Sequence, residues 1–200
     1  KADFASVMLE NLKAAGVQQA HKADRINFTS IVGWAGGGYI CAEGRYMEGD
    51  KERRAGIFIG PEFGTVSRPD LVSAAREAAD ANFDVLIACA FNYEAHAAEF
   101  EKLGRVPVLK ARMNPDLHMA GELKNTGAGN LFVVFGEPDI RIEPQADGKV
   151  RVRVKGVDVF RPQTGEIESG GTDSIALWMI DTDYNEESFF VRQAYFLGAS

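Results

Sequence analysis

Residues 85–91 (VLIACAF) carry no charge, so any strand they form is apolar on both of its faces. Such a strand is stable only when both faces are covered, as in the middle of a parallel sheet packed by helices. The surrounding chain fits that requirement. Strand 55–59, helix 68–81, strand 84–91, helix 93–103 and strand 106–111 alternate as a βαβαβ unit. Ser67 stands where an N-cap accepts a backbone N–H, with Pro69 and Asp70 in the first turn. Leu71, Ala74, Ala75, Ala78 and Ala79 give that helix a narrow face able to lie close to a sheet.

Upstream, Phe4, Val7, Met8, Leu9 and Leu12 fall near helical spacing within residues 3–15, and Gly16 stops the helix. Residues 25–32 and 39–46 read as an antiparallel hairpin around the glycine-rich turn 33–38, whose glycines are expected to supply positive φ. The charged stretch 49–54 (GDKERR) reads as a solvated connection. Downstream, a short helix at 116–124 and a turn at 125–130 precede strands at 131–135, 140–142, 150–154, 157–160, 175–181 and 188–196, with Asp147-Gly148 as a hairpin turn. The expected fold is α/β: a βαβαβ centre with a mainly antiparallel β extension and helices packed on the sheet.

With 46% hydrophobic residues in 200, the chain can bury one substantial core, and a single domain is expected, organised as 1–54, 55–130 and 131–200. The longest uncharged runs fall well short of the roughly 18–20 residues that cross a bilayer, so no membrane partner is expected. Lys and Arg number 22 against 29 Asp and Glu, a net charge of -7, which disfavours clamping of nucleic acid by the whole surface. Cys41 and Cys89 lack CxxC spacing; a reducing cytoplasm without a disulfide is expected. The chain opens at Lys1 and stops at Ser200 after an apolar stretch, and is expected to be cut from a longer protein.

No complete catalytic motif is present. Residues 60–64 (GPEFG) lie between a strand and a helix but lack GxGxxG and the GK[ST] ending, and Pro61 removes a donor. Cys89 reads as a core thiol, and His21, His96 and His118 are scattered, with no zinc spacing among them. Asp181, Asp183 and Asn185 copy half a calcium loop, but Glu186 replaces its glycine and Arg192 its closing Glu. Asp139 after Pro138, with Lys155 on the next strand, approaches a metal-dependent nuclease hairpin, yet Arg153 stands where a second carboxylate is required, leaving Glu137 or Asp158 to compensate. Two basic stretches remain as candidate nucleic-acid or partner contacts: Lys102, Arg105, Lys110 and Arg112, and the alternating Arg151, Arg153 and Lys155.

Four long runs, at 57–78 (IFIGPEFGTVSRPDLVSAAREA), 84–127, 129–140 (GNLFVVFGEPDI) and 156–196, together carry a resemblance. Over nearly its whole length the chain resembles the C-terminal portion of bacterial adenine-specific DNA methyltransferases of the type III restriction-modification, Mod subunit-like group. The resemblance implies a parent protein that moves a methyl group from S-adenosylmethionine to a flipped adenine. It also implies DNA and a restriction nuclease/helicase subunit as partners. That machinery needs an Asp/Asn-Pro-Pro-aromatic motif and a Phe-x-Gly-x-Gly loop. Asn114, Pro115, Asp116 and Leu117 offer one proline and no aromatic, and Phe63, Gly64 and Thr65 lack the second glycine. No catalytic, cofactor or metal residue is therefore expected here, and the domain's role is expected to be contact with DNA or a partner subunit. The rival expectation is a degenerate restriction-type nuclease domain.

Overall fold

A strand apolar on both faces needs a layer on either side, and the chain supplies them with one helix from each end of its first half. A computed structural model describes residues 3–19, 24–94, 97, 102–119, 131–161, 166–175, 177–183 and 191–196. Residues 1–135 and 136–200 form two compact units. Among the described residues both buried clusters belong to the first unit, so the single core expected for the whole chain is the core of that unit.

The first unit runs α1 (Phe4–Ala15), β1 (Phe28–Gly33), β2 (Ile40–Glu48), β3 (Lys51–Ile59), α2 (Arg68–Asp80), β4 (Val85–Ala90), β5 (Lys102–Leu103), β6 (Val106–Met113), a 3-10 turn (Pro115–Met119) and β7 (Phe132–Val134). Its one sheet has the order β1-β2-β3-β4-β6-β5, with β7 also on β6. The pairs β3–β4 and β4–β6 are parallel; the flanking pairs are antiparallel.

Strict alternation divides the central side chains between the two faces. Val85, Ile87 and Cys89 pack with Met8 and Leu12 of α1, while Leu86, Ala88 and Ala90 pack with Leu71, Ala74, Ala75 and Ala78 of α2. β2 changes sides through an irregularity in its pairing between Ile40 and Ala42: Ile40 joins the α2 face and Ala42 the α1 face. At the start of α2, Ser67 and Asp70 form a reciprocal capping box.

Several expected elements change. The charged stretch is not a connection: only Gly49 and Asp50 turn, with Gly49 at φ 60, and Lys51–Arg54 already belong to β3. Cross-strand partners hold it there, since Arg54 meets Glu43 at 2.9 Å and Arg53 meets Glu48 at 2.8 Å. The glycines of the 33–38 turn do not have positive φ. Gly37 is needed for space, because a Cβ there would stand 2.6 Å from Glu77 Oε2. Glu77 of α2 accepts N–H bonds from Gly38, Tyr39 and Ile40 at 2.8–3.1 Å and so ties the hairpin to the helix. Of the expected helix 93–103, Ala97 is helical, residues 102 and 103 are strand, and most of the rest lies outside the described residues. The helix at 116–124 is replaced by the 3-10 turn over its described part, and the turn at 125–130 lies outside the described residues. The fold is thus mixed α/β and mostly sheet.

The second unit contains a three-stranded antiparallel sheet, β8 (Glu137–Pro144), β9 (Val150–Arg161) and β10 (Glu166–Gly171) in the order β10-β9-β8, and a ribbon of β11 (Leu177–Ile180) with β12 (Gln193–Phe196). β9 is continuous where the sequence reads as two strands. Gly156 permits this, because a Cβ there would stand 2.0 Å from the Gly170 carbonyl oxygen. No helix among the described residues is long and apolar enough to cross a membrane.

Two substitutions test these anchors. Glu77→Gln, which turns an amide NH₂ toward three N–H donors, should lower unfolding free energy by about 1–3 kcal/mol and speed amide exchange at Gly38, Tyr39 and Ile40. The hydrogen bond from Arg54 holds the Glu43 carboxyl below its ordinary 4.5. Its contribution should therefore be full above that value and fade as pH falls through the depressed one. Denaturant titrations of wild type and Glu43→Gln should differ by up to about 1 kcal/mol at pH 7 and converge in acid.

Candidate nucleic-acid interface

In open α/β sheets the loops leaving the carboxyl ends of parallel strands form the usual ligand crevice. Here each of those three strands delivers an aromatic ring. Phe63 lies on the loop after β3, Phe91 directly follows β4, and His118 sits in the 3-10 turn after β6. His118 stacks on Phe91 at 4.0 Å with 16° between planes, and Phe63 stacks on His118 at 5.8 Å and 9°. Phe91 is buried in the α1-side core, whereas Phe63 is 82% exposed, so the ladder runs from core to solvent.

The loop that carries Phe63 is tied to β4 at one end by Gly60 and held at the other by Val66, whose N–H donates to the Asn92 carbonyl at 3.0 Å. Gly60 N–H donates to the Cys89 carbonyl at 2.8 Å, and a Cβ on Gly60 would stand 2.7 Å from Val66 and 2.9 Å from Ala90. Gly64 takes φ 137, a conformation that favours glycine. The same loop is no phosphate cradle. The first N–H groups of α2 are already engaged by the chain's own carboxylates: Asp70 caps Ser67, and Arg68 N–H donates to Glu94 at 3.0 Å.

On the α2 side, the buried Tyr93 hydroxyl lies 2.8 Å from the Ala88 carbonyl and 2.9 Å from that of Ala111, so its one proton is shared between β4 and β6. Burial raises its pKa well above the ordinary value, which keeps it a donor. Arg112 donates to the Phe91 carbonyl at 3.1 Å and lies 5.3 Å from the Phe135 ring. Burial likewise raises the Cys89 thiol far from thiolate formation, in keeping with a core role.

The first basic stretch is not one strip. Lys102 and Arg105 are exposed near the start of β6, and Arg105 is bonded to Asn82. Lys110 and Arg112 stand toward its far end, roughly 10–16 Å along the strand from Lys102, which pairs opposite Pro107, and about 16–23 Å from Arg105, at about 3.3 Å per residue. Lys110 is only 7% exposed, its ammonium 3.5 Å from the Ala97 carbonyl, which removes it from any surface contact.

The second stretch does share one exposed face. Arg151, Arg153 and Lys155 alternate along β9, and Arg141 of β8 joins them by pairing opposite Arg153. Carboxylates lie among these cations: Glu143, 3.1 Å from Arg153, Asp139, 3.9 Å from Lys155, and, by register, Asp158 beyond them on the same face. Asp139 and Lys155 therefore do meet. Yet among the described residues no three His, Cys, Asp or Glu side chains are grouped to hold a metal ion. At the calcium-like turn, Arg192 lies 3.7 Å from both Asp181 and Asp183, placing a cation against the acids; Asn185 and Glu186 lie outside the described residues, as do His21 and His96.

Sequence reasoning missed the aromatic ladder and Arg141. The ladder's signal was positional, an aromatic shortly after the end of each parallel strand; that of Arg141 was its register opposite Arg153. Comparison of the chain with family models, with curated proteins and with solved structures gives no match in any of the three.

Tyr93→Phe should reduce unfolding free energy by about 1–2 kcal/mol, because it removes the proton shared by two buried carbonyls. Chemical denaturation of the two proteins measures the difference, and equal midpoints would show that the hydroxyl joins nothing.

Proposed function

We propose that the chain is the C-terminal portion of an adenine-specific DNA methyltransferase of the type III restriction-modification, Mod-like group, and that its own part is non-catalytic contact with DNA. The observation that carries this reading is the exposed face of β8 and β9 near its hairpin end, where Arg141, Arg151 and Arg153 surround Glu143 and Lys155 follows, while the carboxylates Asp139 and Asp158 lie toward the other end of the face. On an acidic chain, such a local excess of cations meets phosphates without clamping DNA over the whole surface. The extended resemblance at 57–78, 84–127, 129–140 and 156–196 is what supports the reading of the parent protein. In that setting S-adenosylmethionine belongs to the parent's methyltransferase core, and the chain works in the cytoplasm. The fold reading extends accordingly: the βαβαβ unit expected from the sequence is the form favoured here, with Ala97 helical and buried on the side of α2.

Docking onto a nuclease/helicase subunit is the neighbouring reading, and the same charged face would serve it. The nuclease reading is favoured only by the approach of Lys155 to Asp139. Arg153 opposes it, since its guanidinium turns to Glu143, and a fixed cation there repels the ion that a nuclease must bind.

Fluorescence anisotropy with duplex DNA at low salt tests the proposal. Changing Arg151, Arg153 and Lys155 together to Gln should weaken binding about tenfold or more and reduce the slope of log affinity against log salt by about 2–3. Changing Lys102 and Arg105 to Gln should leave both nearly unchanged. Unchanged binding in the β9 variant would overturn the DNA reading and leave the docking one. Titration with S-adenosylmethionine should give no saturable heat, and magnesium or manganese should produce no DNA cleavage; cleavage lost in Asp139→Ala would promote the nuclease.

A further inference from the structure

The β8–β9 face can read only phosphates, whereas the aromatic ladder in the first unit offers a different chemistry and does not depend on the methyltransferase reading. An isolated exposed phenylalanine is ordinary on a protein surface. Phe63 differs in three respects. Its ring lies 9° from parallel to His118 at 5.8 Å, and His118 lies 16° from parallel to a core ring, so an 82% exposed aromatic face continues the direction of the series. Its loop is anchored by the close packing of Gly60 and by Val66, whose N–H donates to the Asn92 carbonyl at 3.0 Å, which reduces the freedom to be lost on binding. It also lies at the carboxyl edge of the parallel strands.

From this geometry we infer that Phe63 is the outer step of a stacking platform that takes one unpaired nucleobase of a single-stranded nucleic acid. A flat π-system continues the Phe91–His118–Phe63 series face to face, and stacking of this kind is indifferent to sequence because every base has a π-face. A paired base inside a duplex presents its edges and not its face, so the site discriminates strands from duplexes. Glu62 beside Phe63 and Asp116 near His118 make the immediate sequence acidic. That surrounding favours a base, whose ring N–H and NH₂ groups donate, over a phosphate as the group held here.

The experiment compares two single-stranded 12-mers on the intact 200-residue chain, one of deoxyadenosine and one abasic, which has the same phosphates and no bases. Wild type should bind the base-bearing strand about tenfold more tightly at equal salt. Phe63→Ala should remove that preference, and Phe63→Trp should restore or increase it. Because Phe63 is exposed, the alanine variant should melt like wild type, and recovery in Phe63→Trp excludes loss of folding as the cause. The variant with Gln at 151, 153 and 155 should weaken binding of both strands in parallel, leaving their ratio intact; failure of the DNA-face reading is thereby separate from failure of this one. Equal affinity for the two strands, no binding of either, or a preference that survives Phe63→Ala would overturn the inference.

Discussion

Two-sided burial of three parallel strands is the constraint on which the rest of the first unit depends. Ala55, Ile57, Val85, Ile87, Leu109 and Ala111 look toward α1, while Phe58, Leu86, Ala88 and Val108 look toward α2. Apart from Lys110 and Arg112 toward the end of β6, both faces are apolar over these strands, so neither helix can be removed without exposing hydrophobic sheet surface. A fully buried aliphatic side chain gains about 1.5–3 kcal/mol from burial, and several such side chains on each face exceed any ion pair in the molecule. The alanines of α2 let the helix approach closely, and Glu77 then reaches the glycine-rich hairpin. Position of the hairpin follows from position of the helix.

The same arrangement determines where chemistry can occur. Parallel strands send their exit loops to one edge, and there the chain places Phe63, Phe91 and His118 in register. The edge is held by the buried Tyr93 hydroxyl between two strands and by Arg112 on the Phe91 carbonyl. The second unit follows a different logic. Its antiparallel strands carry charges on one face of the β8–β9 hairpin, while Ile140, Ile142 and Val150 are exposed apolar residues. Surface charge, and not a deep crevice, is its resource.

What could be read in advance followed from local periodicity. VLIACAF fixes a two-faced strand, and Ser67 with Asp70 marks the start of α2 through contacts only three residues apart. Lys51–Arg54 misled because a cluster of charges looks like a loop; its partners, Glu43 and Glu48, lie on the preceding strand and turn the cluster into a ladder. Lys102 through Arg112 looked like one strip because they are near in sequence, whereas a strand spreads such residues over a sheet and buries one of them. Arg151, Arg153 and Lys155 share a face by simple alternation, but Arg141 enters only through register. The ladder depends on three loops converging after separate crossovers, which no window of sequence contains.

Native-state hydrogen exchange measures the central constraint most directly. If two-sided burial organises the first unit, the amides of Ile57, Leu86, Ile87 and Leu109 should be its slowest to exchange, opening only with global unfolding of that unit. Amides of β1 and of the Gly37–Ile40 turn should open at lower free energy. Exchange at Leu86 and Ile87 as fast as in β1, or insensitive to denaturant while β1 is sensitive, would contradict the account.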